Sequence, residues 1–196
     1  MDEAADIDLL AGVLDKTAGI VAGVRADQRG DATPCPDYDV ETLVNHLVAG
    51  ARTFAAGIHG RPVEGDPWSA DAGDDPAGEF RAAADDLVAG WRGRGFDGTV
   101  GITGAAEVPA SMAFNMALME FLTHGWDLAV ATGQAVPFTE EEAEATLARA
   151  QATLPPEYRG EGQAFGHIVA VGEGASAVDR LAGFMGRDPA GAPSGS

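Results

Sequence analysis

Three ionisable side chains share one side of an apolar stretch of this chain, "MEFLTHGWDL". Glu120, His124 and Asp127 follow one another at helical spacing, so a helix would project all three from the same face. The rest of that stripe is small: Ala113, Ala117 and Ala131. An exposed Glu120–His124 pair, worth roughly 0.2–0.5 kcal/mol, is one interpretation. A water-facing stripe usually collects Lys, Arg, Glu and Gln, however, so ionisable groups that alternate with alanines favour the wall of a cavity.

A second histidine, His46, lies in another stretch with helical periodicity. The neighbours at helical spacing leave room around its ring: Thr42, Ala49, Gly50 and Thr53. A lone histidine in that setting is usually a core or surface residue, but metal sites in helix bundles use ligands from facing helices. His46 opposite Glu120 and His124 would supply two imidazoles and one carboxylate. Three protein ligands leave a coordination position open, as in catalytic zinc sites, and other divalent metals accept the same set.

Other residues are candidates for supporting roles. Asp127, one turn beyond the histidine of the stripe, is predicted either to orient a metal ligand or to bind substrate. His167, in "QAFGHIVAV", is predicted to reach the cavity as a general acid or base. Tyr38 and Trp126 fit a pocket wall or the core equally well. Cys35 is the single cysteine, which excludes an internal disulfide and a multi-cysteine metal site, and we expect a packed thiol there.

Periodicity and capping signals predict an all-α chain. The predicted helices are helix one from Asp8 to Arg25, helix two from about Val40 to Ile58 behind Asp39, helix three around Phe80 to Trp91, a long helix four framed by Pro109 and Gly133, helix five behind a Thr139–Glu142 capping box, and a last helix from Ser176 to Met185. The stretch Thr99–Glu107 is rich in β-branched and small residues, which predicts a short hairpin or an extended loop before helix four. These elements indicate a bundle of four main helices with short additions.

Composition and charge limit the expected partners. The 196 residues carry 12 Lys+Arg against 31 Asp+Glu, a formal net charge of -19. Such a surface repels phosphate backbones and anionic membranes, so neither nucleic acid nor a membrane is an expected partner. An acidic start and the lack of any apolar run near the roughly 18 residues of a membrane span predict a cytoplasmic protein. We expect one domain over residues 1–188 and a flexible tail over 189–196, because "RDPAGAPSGS" is typical of a frayed end.

Three motifs resemble those of a known family. They are "TPCPDYDVETLVNHLVAG" (Thr33–Gly50), "EFLTHGWDLAVATGQ" (Glu120–Gln134) and "AVDRLAGFMGRDP" near the end. Together they resemble the DinB-like helical bundles, specifically the actinobacterial branch related to the N-terminal domain of mycothiol-dependent maleylpyruvate isomerase. The resemblance implies an up-down-down-up four-helix bundle and a divalent metal, often zinc, held by His46, Glu120 and His124.

The resemblance also implies a chemistry. In thiol-dependent members of the family the metal holds the cofactor's thiol as thiolate, which supplies a nucleophile at neutral pH without a catalytic cysteine in the chain. The first hypothesis is therefore a metal-dependent S-transferase or isomerase that uses a low-molecular-weight thiol such as mycothiol and acts on a small electrophile. The alternatives are a non-catalytic protein that binds a metal or small ligand in a resistance role, and a hydrolase that uses metal-activated water. Because the isomerase has an additional C-terminal domain for which we expect no counterpart here, maleylpyruvate isomerisation itself is not implied.

Overall fold

The computed structural model describes residues 2–62, 66–68, 71–102, 107–160 and 165–191. Helices dominate this part of the chain: α1 (Glu3–Ala22), α2 (Val40–Ile58), α3 (Pro76–Arg94), α4 (Ala110–Ala131), α5 (Glu140–Thr153) and α6 (Ala177–Phe184), with 3-10 turns at Ala26–Gln28 and Pro156–Tyr158. Two short strands, β1 (Thr99–Gly101) and β2 (Glu107–Pro109), pair antiparallel between α3 and α4. No helix in these ranges has both the length and the apolar character needed to cross a membrane.

The two helices that carry the predicted site have well-defined ends. α2 begins behind Asp39, whose side chain accepts a hydrogen bond from the Thr42 amide, as the sequence predicts. α4 begins at Ala110, so Pro109, which is predicted to frame its start, lies one position before the first turn rather than in it. Pro109 ends β2 instead, where its missing N–H is equally well tolerated. Gly133, just beyond α4, has φ 65°, a left-handed conformation that favours glycine, which confirms the predicted end.

The limits of α1 differ from those predicted. The helix runs from Glu3 to Ala22 rather than from Asp8 to Arg25. Its earlier start is explained by Asp2, whose side chain accepts hydrogen bonds from two amides of the first turn. That cap lies outside the apolar repeat from which the helix was predicted, so periodicity alone misplaces the boundary.

The four long helices enclose a hydrophobic core. α1 and α2 each pack against both α3 and α4. The largest fully buried aromatic side chains of the core are Trp91, Phe54, Phe80, Phe114 and Phe121. Burying one side chain of this kind contributes about 1.5–3 kcal/mol, so packing of these faces fixes how α2 and α4 approach each other. The predicted all-α DinB-like bundle with a small hairpin is confirmed.

The hairpin docks directly on α2. A Cβ atom added at Gly57 would collide with the carbonyl oxygen of Gly101, so only a glycine lets β1 approach the helix this closely. The strands confirm the predicted hairpin, although the second strand extends two residues beyond the predicted stretch Thr99–Glu107. Residues 103–106, which join the strands, lie outside the described ranges.

The C-terminal helices add a second layer beside the bundle. α5 and α6 pack against each other and against α4. α5 begins behind its predicted cap, Thr139, and α6 lies one residue inside each predicted limit, Ser176 and Met185, with Ser176 as its N-cap. Arg187, which precedes the predicted tail of residues 189–196, is held in the fold: its amide donates to the Ala182 carbonyl, and its side chain is only 11% exposed. The last part of the predicted tail, residues 192–196, lies outside the described ranges.

Candidate metal centre

α2 and α4 bring His46, Glu120 and His124 to a common point. Glu120 Oε1 lies 2.7 Å from His46 Nε2 and 3.8 Å from His124 Nε2. One ligand atom from each residue lies within 4.8 Å of the others, and the two imidazole centroids are 5.1 Å apart. Glu120 and His124 meet because they are one helical turn apart, and His46 joins them because α2 packs against α4. The three residues predicted from the sequence as metal ligands are therefore neighbours.

The Nδ1 atoms of both imidazoles have acceptors as partners, which fixes what the Nε2 atoms offer. His46 Nδ1 lies 3.2 Å from the Trp68 carbonyl oxygen, and a carbonyl can only accept, so Nδ1 carries the hydrogen. His124 Nδ1 lies 3.0 Å from Asp127 Oδ2, again an acceptor. In the neutral tautomers selected this way, both Nε2 atoms present lone pairs. Two lone pairs and a carboxylate then face one another, an arrangement that a cation between them stabilises.

Glu120 Oε1 is a buried oxygen with no hydrogen-bond partner in the described part of the chain. Although it lies 2.7 Å from His46 Nε2, no hydrogen bond joins the two, because in the neutral tautomer set by the Trp68 carbonyl that nitrogen offers a lone pair and has no hydrogen to donate. A buried polar atom left without a partner costs about 1–3 kcal/mol, and more when it is charged. The separations of 2.7 and 3.8 Å bracket the ~3.3 Å between two ligands of a tetrahedral zinc. The donor set and its spacing thus fit a divalent cation.

The ionisation of the site also favours a positive charge. Burial alone would lower the pKa of His46, but the adjacent Glu120 carboxylate and the Trp68 carbonyl raise it above its ordinary value. Burial alone would raise the pKa of Glu120, but His124, His46 and Arg187 hold it below its ordinary value. Glu120 is therefore ionised at neutral pH, and its charge favours the protonated form of His46 over the neutral one. A cation at this point replaces that proton.

Asp127 orients His124 and is itself held by Arg187. Its side chain has no exposed surface, and its carboxylate accepts hydrogen bonds from His124 Nδ1 at 3.0 Å, Arg187 Nη2 at 2.7 Å and Arg187 Nε at 3.1 Å. Burial alone would raise the pKa of Asp127, but His124 and Arg187 hold it below its ordinary value. Of the two roles that the sequence leaves open for Asp127, this geometry supports the orientation of a metal ligand over contact with substrate.

A cavity of about 620 Å³ opens onto His46, Glu120 and His124. That volume falls within the roughly 300–1,000 Å³ of ordinary small-molecule sites. Tyr38 and Trp68 belong to its wall. The Tyr38 ring stacks on the His46 imidazole at a centroid distance of 4.7 Å, and its hydroxyl lies 3.3 Å from His46 Nδ1. The candidate ligands thus face a space large enough for a small molecule.

Cys35 lies beside the site in a form that disfavours metal binding. Three ligand atoms, one from each of Cys35, His124 and Asp127, lie within 4.8 Å of one another. Burial raises the pKa of the Cys35 thiol, however, so it stays protonated at neutral pH. A site built from these three residues would also have to break the ion pair between Asp127 and Arg187. The set of two imidazoles and Glu120 is therefore the better one for a cation.

His167 is not brought to the cluster. Its side chain is exposed, its ring lies against Gly160, and it is absent from the cavity wall formed by the described residues. Residues 161–164, which precede it, lie outside the described ranges. The acid or base role of His167 stays a prediction that its position does not support.

Arg187 is a site residue that the sequence does not predict. A signal for it exists, because Asp127 is a carboxylate on an apolar helix and a buried carboxylate needs a cation or hydrogen-bond donors. Nothing in the spacing of the sequence says which of the 12 basic residues supplies them. Arg187 follows α6, and it reaches Asp127 because α6 packs against α4 and α5.

Comparison with known proteins gives one family and two relatives. The family model described as "Mycothiol maleylpyruvate isomerase N-terminal domain" matches residues 10–129. The uncharacterized proteins MT0763 and Rv0738 of Mycobacterium tuberculosis, from strains CDC 1551 / Oshkosh and H37Rv, are each 32% identical over 179 residues, which covers 88% of this chain and 92% of the relative. No solved structure matches the chain. The family match includes His46, Glu120 and His124 and stops before Arg187.

Proposed function

Because this chain belongs to the mycothiol maleylpyruvate isomerase N-terminal domain family, we propose that it is a metal-dependent thiol S-transferase or isomerase. The proposed metal is a divalent cation, preferably zinc, with His46, Glu120 and His124 as its protein ligands. The proposed co-substrate is a low-molecular-weight thiol such as mycothiol, and the second substrate is a small electrophile. The observation that carries the proposal is the unsatisfied Glu120 oxygen beside two Nε2 lone pairs in a cavity wall.

The chain prepares the donor atoms of this site. When bound, a divalent cation with three protein ligands lowers the pKa of a thiol in its open position and so supplies a nucleophile at neutral pH. The Trp68 carbonyl and the Asp127 carboxylate hold His46 and His124 with their Nε2 atoms available. Ionised Glu120 supplies the one negative protein ligand.

Tyr38 has the right position to stabilise negative charge that develops in the cavity. Burial, and then the nearby Glu120 carboxylate, raise the pKa of the Tyr38 hydroxyl, so it stays protonated at neutral pH. Its oxygen lies 3.3 Å from His46 Nδ1, where it can accept. Its own hydrogen can then donate to a substrate atom, in the manner of an oxyanion-stabilising group.

The nucleophilic sulfur in this proposal comes from the co-substrate. Cys35 is the chain's single cysteine, and burial keeps its thiol protonated at neutral pH because it raises the pKa. An exogenous thiol that reaches the open coordination position is therefore the better source of thiolate.

Thermal unfolding of metal-free protein with zinc, with mycothiol and with both tests this proposal. Zinc at 100 times its dissociation constant is expected to stabilise the fold by about 2.7 kcal/mol, which raises the Tm of a chain of this size by roughly 5–10 °C. Mycothiol is expected to raise the Tm further only when zinc is present, because the thiol needs the metal to bind.

S-methylated mycothiol is the matched control, since it keeps the sugar and amide groups but cannot form a thiolate. It should add little to the zinc effect. A thiol effect of equal size without zinc would contradict the proposal. Stabilisation by zinc with no additional thiol effect would favour a metal-binding protein or a hydrolase that uses metal-activated water.

A further inference from the structure

Every methionine of this chain other than Met1 lies in the wall of the 620 Å³ cavity: Met112, Met116, Met119 and Met185. Three of them follow one another at helical spacing on α4, so one side of that helix faces the cavity with thioethers. Methionine is unbranched and polarisable, and surfaces rich in it adapt to apolar ligands of different shapes. Phe54, Trp68 and Phe165 extend the same wall. This part of the site is therefore suited to an apolar molecule.

The charged side chains in the described part of the wall provide no unpaired cation for an anionic substrate. Apart from the two candidate ligand histidines, those in the described ranges are Asp37, Glu120 and Arg187. The charge of Arg187 is paired with Asp127, to which Nε and Nη2 donate, and Nη1 donates to the Met185 carbonyl. The residues outside the described ranges include no lysine, arginine or histidine.

Arg159 also lacks a role in the wall. Arg159 follows Tyr158, a wall residue, but does not itself line the cavity formed by the described residues. Its guanidinium lies 4.1 Å from the centroid of the Phe184 ring, its Nη1 donates to the Phe184 carbonyl, and its buried Nη2 has no hydrogen-bond partner in the described part of the chain. These contacts direct it towards α6.

The charges of the loaded site would cancel. A divalent cation, the Glu120 carboxylate and one bound thiolate sum to zero, and the Asp127–Arg187 pair is neutral as well. Asp37 then leaves the cavity slightly negative. A substrate carboxylate that enters this space would lose hydration without gaining a positive partner, which is costly.

We propose that the electrophile of this enzyme is an uncharged, apolar molecule rather than one that carries a carboxylate. This inference rests on the proposed function, because it names the class of the second substrate of that site. The methionine-rich wall binds the apolar body of the molecule, and the lack of an unengaged cation in the wall excludes its acidic analogue.

Two unreactive ligands that differ in one group test this inference. Methyl 4-methyl-3-nitrobenzoate and 4-methyl-3-nitrobenzoate share a ring and a nitro group, and only the second is charged at neutral pH. Their dissociation constants are measured on zinc-loaded, mycothiol-saturated protein by quenching of tryptophan fluorescence. The ester is expected to bind at least about tenfold more tightly, a difference of about 1.4 kcal/mol. Equal or tighter binding of the acid, or no binding of either, would overturn the inference.

A charge placed in the wall separates electrostatics from general apolarity. Met112 is 38% exposed, so a polar side chain is tolerated there. Met112→Lys is expected to tighten binding of the acid several-fold, whereas Met112→Gln, the uncharged control, is not. If the lysine variant does not bind the acid better than the glutamine variant does, the lack of a cation does not set the preference and the inference fails.

Turnover separates this inference from the proposed function. With methyl 4-chloro-3-nitrobenzoate and mycothiol, the sulfur bonds to the ring carbon, the carbon–chlorine bond breaks with its electron pair to chloride, and the thiol proton passes to solvent. Selective binding of the ester without any turnover would contradict the proposed function and leave only the preference of the cavity for uncharged ligands. Turnover of 4-chloro-3-nitrobenzoate in preference to its ester would overturn the inference and support the proposed function.

Discussion

Replacing His124 with alanine is expected to lower the affinity of this protein for zinc by more than 100-fold. Loss of a group that only orients a metal-binding histidine costs about 10–100-fold, and loss of the ligand itself costs more. At a zinc concentration 1,000 times the wild-type Kd, the wild type gains about 4.1 kcal/mol of stability, whereas a variant that binds 100-fold more weakly gains about 1.4 kcal/mol. Competition with a chelating dye measures the affinity, and thermal unfolding measures the stabilisation.

His59→Ala is the matched control for this substitution. His59 is also a helix-associated histidine beside a carboxylate, 3.0 Å from Asp86 Oδ1, but it does not line the cavity formed by the described residues. Its variant should bind zinc as the wild type does. If His124→Ala and His59→Ala bind zinc equally well, His124 is not a ligand.

Replacing Arg187 with methionine is expected to destabilise the metal-free fold by about 3–5 kcal/mol. The methionine removes the cation from a carboxylate with no exposed surface, and breaking a buried ion pair costs that much because the remaining charge stays buried. For a chain of this size the Tm should fall by roughly 6–20 °C. Chemical denaturation and thermal unfolding in a chelating buffer measure the loss.

Two further variants separate the buried ion pair from a general loss of charge. Arg92 pairs with Asp8 at 3.0 Å, but these side chains are 60% and 70% exposed, so Arg92→Met should cost less than about 1 kcal/mol. Adding Asp127→Asn to Arg187→Met removes the buried charge and should recover part of the stability. Equal losses for Arg92→Met and Arg187→Met would contradict the assignment.

At acid pH, the wild type and Arg187→Met should differ less in free energy of unfolding than they do at neutral pH. The pKa of Asp127 in the folded wild type lies below its ordinary value, so the stability from this carboxylate is complete above the unfolded pKa of about 3.9 and is lost as the pH falls through the folded pKa. Without Arg187 the folded pKa rises, and protonation then relieves the buried charge. The difference in free energy of unfolding should therefore shrink below about pH 4.

The residues predicted as metal ligands could be found from the sequence because helical periodicity placed them. Glu120 and His124 are one turn apart, and small residues surround both that pair and His46, so each helix showed its cavity-facing side. The bundle itself followed from apolar periodicity and from caps such as Asp39 and the Thr139 capping box. Helical periodicity and helix caps are local signals, and the helices of the structure agree with them.

The features that the sequence did not predict depend on the conformation of loops and on the packing of α6 against the bundle. Trp68 supplies its carbonyl to His46 from the long connection between α2 and α3. The sequence of this connection has no helical or strand periodicity from which the position of Trp68 could be predicted. Arg187 reaches Asp127 only because α6 packs against α4 and α5. His167, conversely, was predicted to reach the cavity from residue type alone, and its loop leaves it exposed.

X-ray absorption at the zinc edge, on zinc-loaded protein with and without mycothiol, tests most directly whether two histidines and Glu120 hold a metal that binds an added thiol. Without the thiol, we expect only nitrogen and oxygen neighbours at about 2.0–2.2 Å; with it, we expect one sulfur neighbour at about 2.3 Å. A sulfur neighbour before any thiol is added would identify Cys35 as a ligand. Its absence after saturation with mycothiol would contradict a thiol-binding metal site.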